Sequence, residues 1–371
     1  MKKKNCSEEG DAVLGAAFRS LARLFAGLTG IVLVIAVLGL GIFIYLNLPP
    51  GDAPVIPAGV DTMSFADNGD LVIDVRSGES AGSVGRRLED AGVIKSALLW
   101  SLLFHTSKDT IKAGVYGLSL PLSQLEIRSI LVSGRQLLVR VMFPEGGTLK
   151  KSAHILEEAG ICSAGEFLAA AGDEAVRESY GVIGQTMEGY LYPDTYLFPR
   201  AYPAEQVVRT MADTFFKNLA LIEPGALALS REELNRAVII ASIVEREYRL
   251  AAEAPLMAGV FYNRLRIGMA LQSCATVEYV ITEIQGRPHP ELLYNRDIEI
   301  RDPYNTYIRP GLPPGPISAP GGTALTAAFF PESSNYLYFR LVDPGAGRHY
   351  FSQTLDDHIK AGLLYVKRSS F

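Results

Sequence analysis

Cysteine and histidine are scarce in this chain of 371 residues, which holds three of the first and five of the second, and there is no basic excess. Lys and Arg number 35 against 40 Asp and Glu, a formal net charge of -5, so nothing in the charge balance calls for nucleic acid as a partner. His105, His154, His289, His349 and His358 form neither an H-E-x-x-H pattern nor a cluster, and no glycine-rich phosphate loop is present. No metal and no other cofactor is expected. Charge is also absent from the run Leu24 to Leu46 (LFAGLTGIVLVIAVLGLGIFIYL). About 20 apolar residues suffice to cross the hydrocarbon core, so this run is expected to be a transmembrane helix. It is longer than the core of a secretory signal, and Asn47-Leu48-Pro49-Pro50 follows it in place of a small-residue cleavage site, which favours retention.

Lys2, Lys3, Lys4, Arg19 and Arg23 precede the span, whereas Asp52, Asp61, Asp67 and Asp70 are the only charges just after it. The positive-inside rule then leaves residues 1–23 as a cytoplasmic tail and everything after the span outside, in a cell-membrane protein of single-pass topology. Cys6 falls on the inner side, Cys162 and Cys274 on the outer. A disulfide between the outer two is permitted by the compartment and required by nothing in the sequence.

Residues 47–70, rich in Pro, Gly, Asp and Ala, read as a linker. Leu71 to Val75 alternates as a strand does, Ser83 to Ala91 reads as a short helix closed by Gly92, Ala113 to Tyr116 as a strand, and Leu125 to Val132 as a helix capped by Ser123 and ending near Gly134. Residues 71–140 are therefore expected to form a compact module. Its fragments SGESAGSVGRRLEDAGVI and KAGVYGLSLPLSQLEIRSIL resemble a LysM-type domain, which implies glycan binding; packing alone is the other reading. Gly78 to Gly82 also fits G-x-S-x-G, the nucleophile elbow of esterases, but an elbow needs a large parallel sheet, a histidine and an acid. A turn with Ser80 or Ser83 capping the next helix accounts for it better.

Gln136 to Phe143 reads as a strand, and Thr148 as the cap of a following helix; a second domain, residues 141–371, begins there. Helices over Ala204 to Leu219, Ser230 to Tyr248 and Ala252 to Arg264, with a short strand over Tyr336 to Val342, give an α+β order rather than a doubly wound sheet. Ala237 to Val244 reads as a buried helix that ends on two carboxylates, Glu245 and Glu247. Burying a carboxylate costs several kcal/mol unless it is paired or protonated, so such an acid usually has a task that needs a shifted pKa.

Aromatic residues stand beside acids and amides in Glu188 to Tyr196, Glu245 to Tyr248, Phe261 to Ser273, and Tyr304 to Tyr307 running into Gly311 to Ile317, as in sites that hold sugars. The motifs over these stretches are EGYLYPDTY (188–196), ASIVERE (241–247), FYNRLRIGMALQS (261–273), YNTY (304–307) and GLPPGPISAPG (311–321). In order and spacing these segments resemble the endolytic murein transglycosylases of the YceG-like, or MltG, family. The resemblance implies an α+β protein with an N-terminal transmembrane helix, a small LysM-like module and a mixed catalytic domain. It implies a lyase, a lytic transglycosylase that cuts nascent peptidoglycan between N-acetylmuramic acid and N-acetylglucosamine and leaves a 1,6-anhydro end, ending strand elongation. Its partners would be peptidoglycan strands, the membrane and peptidoglycan synthases. A non-catalytic wall-binding scaffold for synthases is the alternative.

One carboxyl group suffices for that chemistry: it protonates the leaving glycosidic oxygen, then takes the proton of the C6 hydroxyl as that oxygen closes on C1. Glu247 shares a helical stripe with Ile240 and Ile243, while Glu245 lies about 200° away, and the motif aligns the family's catalytic glutamate with Glu247. Glu247 is the expected catalytic acid and Glu245 a supporting one that bonds a neighbouring loop or pairs with Arg246 or Arg249. Glu188 is either a second active-site acid or a tie for the turn at Gly189. Tyr192, Gln272, Asn305 and Tyr307 are the expected glycan contacts, and Arg264 is either a contact or structural. Ser273-Cys274-Ala275 departs from the Thr or Ser, Asp and Pro of many relatives, and whatever that aspartate does in them as an acid Cys274 cannot do here.

Overall fold

The computed structural model describes residues 5–57, 62–66, 69–107 and 109–368. Lys2, Lys3, Lys4, Asp61 and Asp67 lie outside the described residues, as do the side chains of Cys6, Arg19 and Arg23. The chain divides into two compact units, residues 1–137 and 138–371. The architecture is mixed α+β, and every strand pair among the described residues is antiparallel.

The first unit opens with α1 (Asn5–Asn47), whose segment Phe25–Asn47 is long and apolar enough to cross a membrane. Within residues 47–70, Met63–Phe65 forms strand β1, which pairs with β2 (Leu71–Val75); β2 pairs in turn with β3 (Gly114–Leu118). Helices α2 (Ala81–Asp90), α3 (Ala97–His105) and α4 (Gln124–Ser133) complete the unit. Alternation in β2 buries Leu71, Ile73 and Val75. They meet Val84 and Leu88 of α2, Trp100 of α3 and Ile127 and Leu131 of α4 in one core. Trp100 fits because residue 85 is glycine: a Cβ there would stand 2.4 Å from the indole. The indole N–H donates to the Ala81 carbonyl at 2.8 Å, so the ring is buried without an orphan donor.

Ser80 caps α2, its hydroxyl accepting from Ser83 N at 3.2 Å. With a three-stranded antiparallel sheet around it, the G-x-S-x-G match is a helix cap, and the esterase reading falls. Ser123 and Glu126 form a capping box at α4, which Gly134 closes in the left-handed region at φ 74°.

The second unit contains β4 (Leu138–Met142), α5 (Leu149–Glu158), α6 (Ala164–Gly172), α7 (Glu174–Ser179), β5 (Thr195–Pro199) and α8 (Ala204–Ile222). Then come α9 (Arg231–Glu247), α10 (Ala254–Arg266), α11 (Cys274–Tyr279), α12 (Asn295–Ile298) and α13 (Gly322–Phe329). A hairpin of β6 (Tyr338–Asp343) and β7 (Arg348–Ser352) leads to α14 (Leu355–Arg368). Thr148 caps α5 as its position in the sequence suggests, and Ser230 with Glu233 forms a capping box that starts α9. From Ala237 to Val244 every residue of α9 is buried, because α10, α11 and α13 pack around it. A helix apolar all round belongs at the centre of a domain.

Candidate active site

The last turn of α9 carries both glutamates out of this core, and they open into different cavities. Glu247 lines one of about 310 Å³, together with Arg264, Gln272, Cys274, Tyr307, Tyr338 and His358. Glu245 lines another of about 720 Å³ with Glu145, Lys150, Arg249 and Glu283. Helical phase separates the two acids by direction; both residues keep some exposure, and the Glu247 carboxyl is the more deeply set of the two.

Ser273 Oγ donates to Glu247 Oε1 at 2.5 Å. That contact is built by the pairing of two loops. Gln272 N donates to the Thr306 carbonyl at 3.0 Å and Ser273 N to Thr306 Oγ1 at 3.1 Å, while Thr276 Oγ1 lies 2.9 Å from Thr306 Oγ1 and donates to the Ser273 carbonyl at 2.8 Å. The threonines, fully or almost fully buried, thus satisfy one another and fix the serine. Burial pushes the Glu247 pKa up; the Ser273 hydroxyl works against that shift, Glu278 adds to it, and His349 and Arg246 offset part of it. The ion pair of Arg246 goes to Glu278 at 3.0 Å, so its charge is largely engaged elsewhere. A carboxyl in such surroundings holds its proton further toward neutral pH than an exposed glutamate and can deliver it to a leaving oxygen.

Glu245 is tied to a neighbouring loop by one oxygen and to Tyr248 by the other: Gly321 N donates to Oε2 at 2.9 Å and Tyr248 OH to Oε1 at 3.4 Å. Burial, with the negative Glu145 nearby, pushes its pKa up to about 7 against the bond from Gly321. Glu145 lies so close to Gly321 that a Cβ there would overlap its carboxylate. The loop is laid on α9 by Ser242, which accepts from Ile317 N at 3.0 Å through its hydroxyl and from Ser318 Oγ at 3.0 Å through its carbonyl.

Glu188 lines neither cavity: it is buried, accepting from Leu149 N at 3.1 Å at the start of α5, and burial pushes its pKa up to about 8. The turn beside it needs glycine, since Gly189 has φ 81° and a Cβ would stand 2.4 Å from Pro316. Of the expected glycan contacts, Gln272 and Tyr307 reach the Glu247 cavity. Gln272 is exposed and holds φ 51°, the left-handed region that a residue with a side chain adopts at a cost. Tyr192 is half-buried with its hydroxyl toward Gly322, near Glu145 and Glu245 and away from the Glu247 cavity.

Asn305 is placed otherwise than a contact requires. It is fully buried, its amide donating to the Ile298 and Ile300 carbonyls at 2.8 Å each and its oxygen accepting from Tyr307 N at 2.9 Å. Its hydrogen-bonding capacity goes to the loop that carries Tyr307. Arg264 donates to the Leu337 and Leu271 carbonyls at 2.6 Å each and to the Ala270 carbonyl at 3.4 Å, holding the cavity wall while its guanidinium lies under the Tyr338 ring. Cys274 Sγ lies 3.1 Å from Tyr307 OH, and Cys162 and Cys274 are both free thiols, so the permitted disulfide is not formed.

Ser273, Glu145, Tyr338 and His358 were not singled out by sequence. The signal for Ser273 was its place directly after Gln272; the other three reach the cavities from a turn, a strand and a helix: Glu145 after β4, Tyr338 in β6 and His358 in α14. No group of His, Cys, Asp and Glu suited to a metal ion occurs among the described residues.

The fold and site define an α+β protein in which raised-pKa glutamates from one buried helix end at surface clefts. The chain belongs to the YceG-like family, whose model matches residues 73–362. It is 29% identical over 319 residues to a Streptococcus pneumoniae R6 protein named endolytic murein transglycosylase, covering 78% of this chain and 57% of that one. A Bacillus subtilis 168 protein of the same name is 28% identical over 311 residues, covering 79% and 84%. The chain thus spans somewhat over half the length of the pneumococcal relative. A crystal structure at 2.6 Å of a YceG-like protein from Listeria monocytogenes is 31% identical, with a TM-score of 0.53, over 78% of this chain and 98% of that one.

Proposed function

We propose that the chain is a membrane-anchored endolytic peptidoglycan lytic transglycosylase, with Glu247 as the group that first gives and then takes a proton. The observation that carries this reading is the Glu247 carboxyl, raised in pKa by burial, held by Ser273 at 2.5 Å and facing a cavity lined by aromatic and amide groups. Family membership and relatives named endolytic murein transglycosylase support it.

In this mechanism a muramyl residue of a nascent strand lies beside Glu247. The protonated carboxyl gives its proton to the oxygen bound for the N-acetylglucosamine leaving group, and the C1–O bond breaks. The carboxylate then removes the C6 hydroxyl proton while that oxygen bonds C1, which leaves a 1,6-anhydro end and restores the acid. Gln272 and Tyr307 bond the sugar at the cavity lip; Glu245 and Glu188 act as supporting acids, and Tyr192 contacts the strand beyond the Glu245 cavity. The second unit, which opens with β4 three residues before the expected boundary at residue 141, is the catalytic domain; the module expected at residues 71–140 is LysM-like, binds glycan and takes in β1 from the expected 47–70 linker, and residues 24–46 are the anchor. The 1–23 tail is cytoplasmic and the enzyme extracytoplasmic, where it meets new strands, ends their elongation and works beside synthases.

The test is mass spectrometry of muropeptides released from nascent strands by the full chain and by Glu247→Gln. Anhydro-ended products from the wild type and their loss by at least a hundredfold in the variant are expected. Hydrated ends would overturn the reaction, and undiminished release would overturn the acid. Glycan binding with no cleavage by the wild type would favour the scaffold.

A further inference from the structure

Helix α3 presents apolar side chains that no part of its own unit covers. Leu98 and Leu102, four residues apart and so on one face, are 84% and 56% exposed, while Leu99 and Trp100 of the same helix are buried. Single exposed leucines need no explanation, but two on one helix face beside a candidate membrane span do.

Several contacts fix this unit to the end of α1. Lys95 Nζ donates to the Tyr45 carbonyl at 3.2 Å and lies 4.2 Å from the centre of the Tyr45 ring. Gln124 Nε2 donates to the Leu46 carbonyl at 3.0 Å, and Leu125 N to Asn47 Oδ1 at 3.1 Å. These partners are the last residues of the segment Phe25–Asn47. Tyrosine favours the membrane–water boundary, and a lysine beside it can keep its ammonium among headgroups. Leu98 follows Lys95 by three residues, a reach of at most about 10 Å. The polar layer of a bilayer leaflet is itself about 5 to 7 Å deep. Leu125, also exposed, starts α4 against Asn47 and extends the same apolar margin.

We infer that α3 is a membrane-contacting helix: Leu98 and Leu102, with Leu125, enter the interfacial layer of the leaflet from which α1 emerges, so that the first unit rests on lipid and does not hang from the span alone. The inference rests on α1 crossing the bilayer. The occupant is lipid because the anchoring contacts, with α3 packed beside α1, hold this helix at the exit of an apolar span, where headgroups and acyl chains are at hand whichever way the protein is oriented.

The test uses the full chain with Cys6, Cys162 and Cys274 replaced by Ser, reconstituted in phosphatidylcholine–phosphatidylglycerol vesicles. A nitroxide is placed singly at positions 98, 102, 33 and 133, and its collisions with oxygen, concentrated in lipid, and with a water-soluble nickel chelate are compared. Position 33 is the reference within the span and position 133, exposed at the end of α4, the aqueous one. Labels at 98 and 102 are expected to fall between these references, with nickel accessibility reduced at least threefold against position 133. Lipid exposure at 33 with full water exposure at 98 and 102 overturns the inference and leaves the span standing. Water exposure at 33 overturns the span itself. Spin–spin broadening at 98 that vanishes on dilution with unlabelled protein assigns the face to a second copy and also overturns the inference. Emission from Trp100, the one tryptophan, buried in the unit's core, verifies that each labelled chain is folded.

Discussion

Ser273 Oγ stands 2.5 Å from Glu247 Oε1, and the two side chains come from segments 26 residues apart. The hydroxyl gives the carboxyl a fixed direction inside the cavity, and its bond favours the ionised form, opposing the burial that favours the proton. A group that must be acid in one step and base in the next is served by such opposition, because neither form is held too firmly.

Replacing Ser273 with Ala removes the one hydrogen bond that lowers the Glu247 pKa, so the pKa rises further. The alkaline limb of the pH profile is expected to move to higher pH. Loss of orientation should lower kcat roughly tenfold, about 1.4 kcal/mol in the barrier. Release of anhydro-muropeptides followed from about pH 5 to pH 9 checks both; a limb that moves to lower pH contradicts the assignment.

Glu245 has a pKa of about 7, yet its oxygens are occupied by Gly321 N and Tyr248 OH. Glutamine keeps an acceptor for Gly321 and removes the charge beside Glu145. Glu245→Gln should therefore retain activity within about tenfold, against a loss of about a hundredfold or more in Glu247→Gln. Equal losses in the two variants would end the distinction between them.

Glu188 makes stability depend on pH. Its folded pKa of about 8 lies above the ordinary 4.5, so between those values the folded chain keeps a proton that the unfolded chain releases. The folded state binds more protons in that window, and stability must fall as pH rises through it, levelling off above about pH 8. Glu245 acts in the same sense up to about 7. The melting temperature is expected to drop from about pH 5 to about pH 8.5, and Glu188→Gln to remove a share on the order of a few kcal/mol. Calorimetry with the same slope in the variant and the wild type would refute this.

What the sequence disclosed followed from local rules. The caps Ser123 and Thr148 and the alternation of Leu71, Ile73 and Val75 act within a few residues, and the structure has each in that role. Residues 97–105 were not read as a helix, because ALLWSLLFH is apolar on nearly every side and shows no period; its buried face is chosen by Gly85 across the unit. Asn305 looked like a sugar ligand by chemistry and is a loop clamp by geometry, since the carbonyls of Ile298 and Ile300 take its amide. Helical phase set Glu247 apart from Glu245, but the cavities they face are walled by residues of α5, α11, β6 and α14, which no short-range pattern brings together.

Gln272 supplies the sharpest separation of fold from function. Its φ of 51° costs a residue with a Cβ about 1 to 2 kcal/mol, and glycine would relieve most of that at some cost in chain entropy. Gln272→Gly should be more stable by up to about 1 kcal/mol, a rise of about 2 to 4 °C in melting temperature for a domain of this size. If the exposed amide at the lip of the Glu247 cavity bonds the sugar, the same substitution should raise KM for glycan strands severalfold with a smaller effect on kcat. Gln272→Ala keeps the strain and loses the amide, so it should share the KM defect without the gain in stability. A stabilised glycine variant with unchanged KM would remove Gln272 from the binding site and leave its backbone conformation without a functional account.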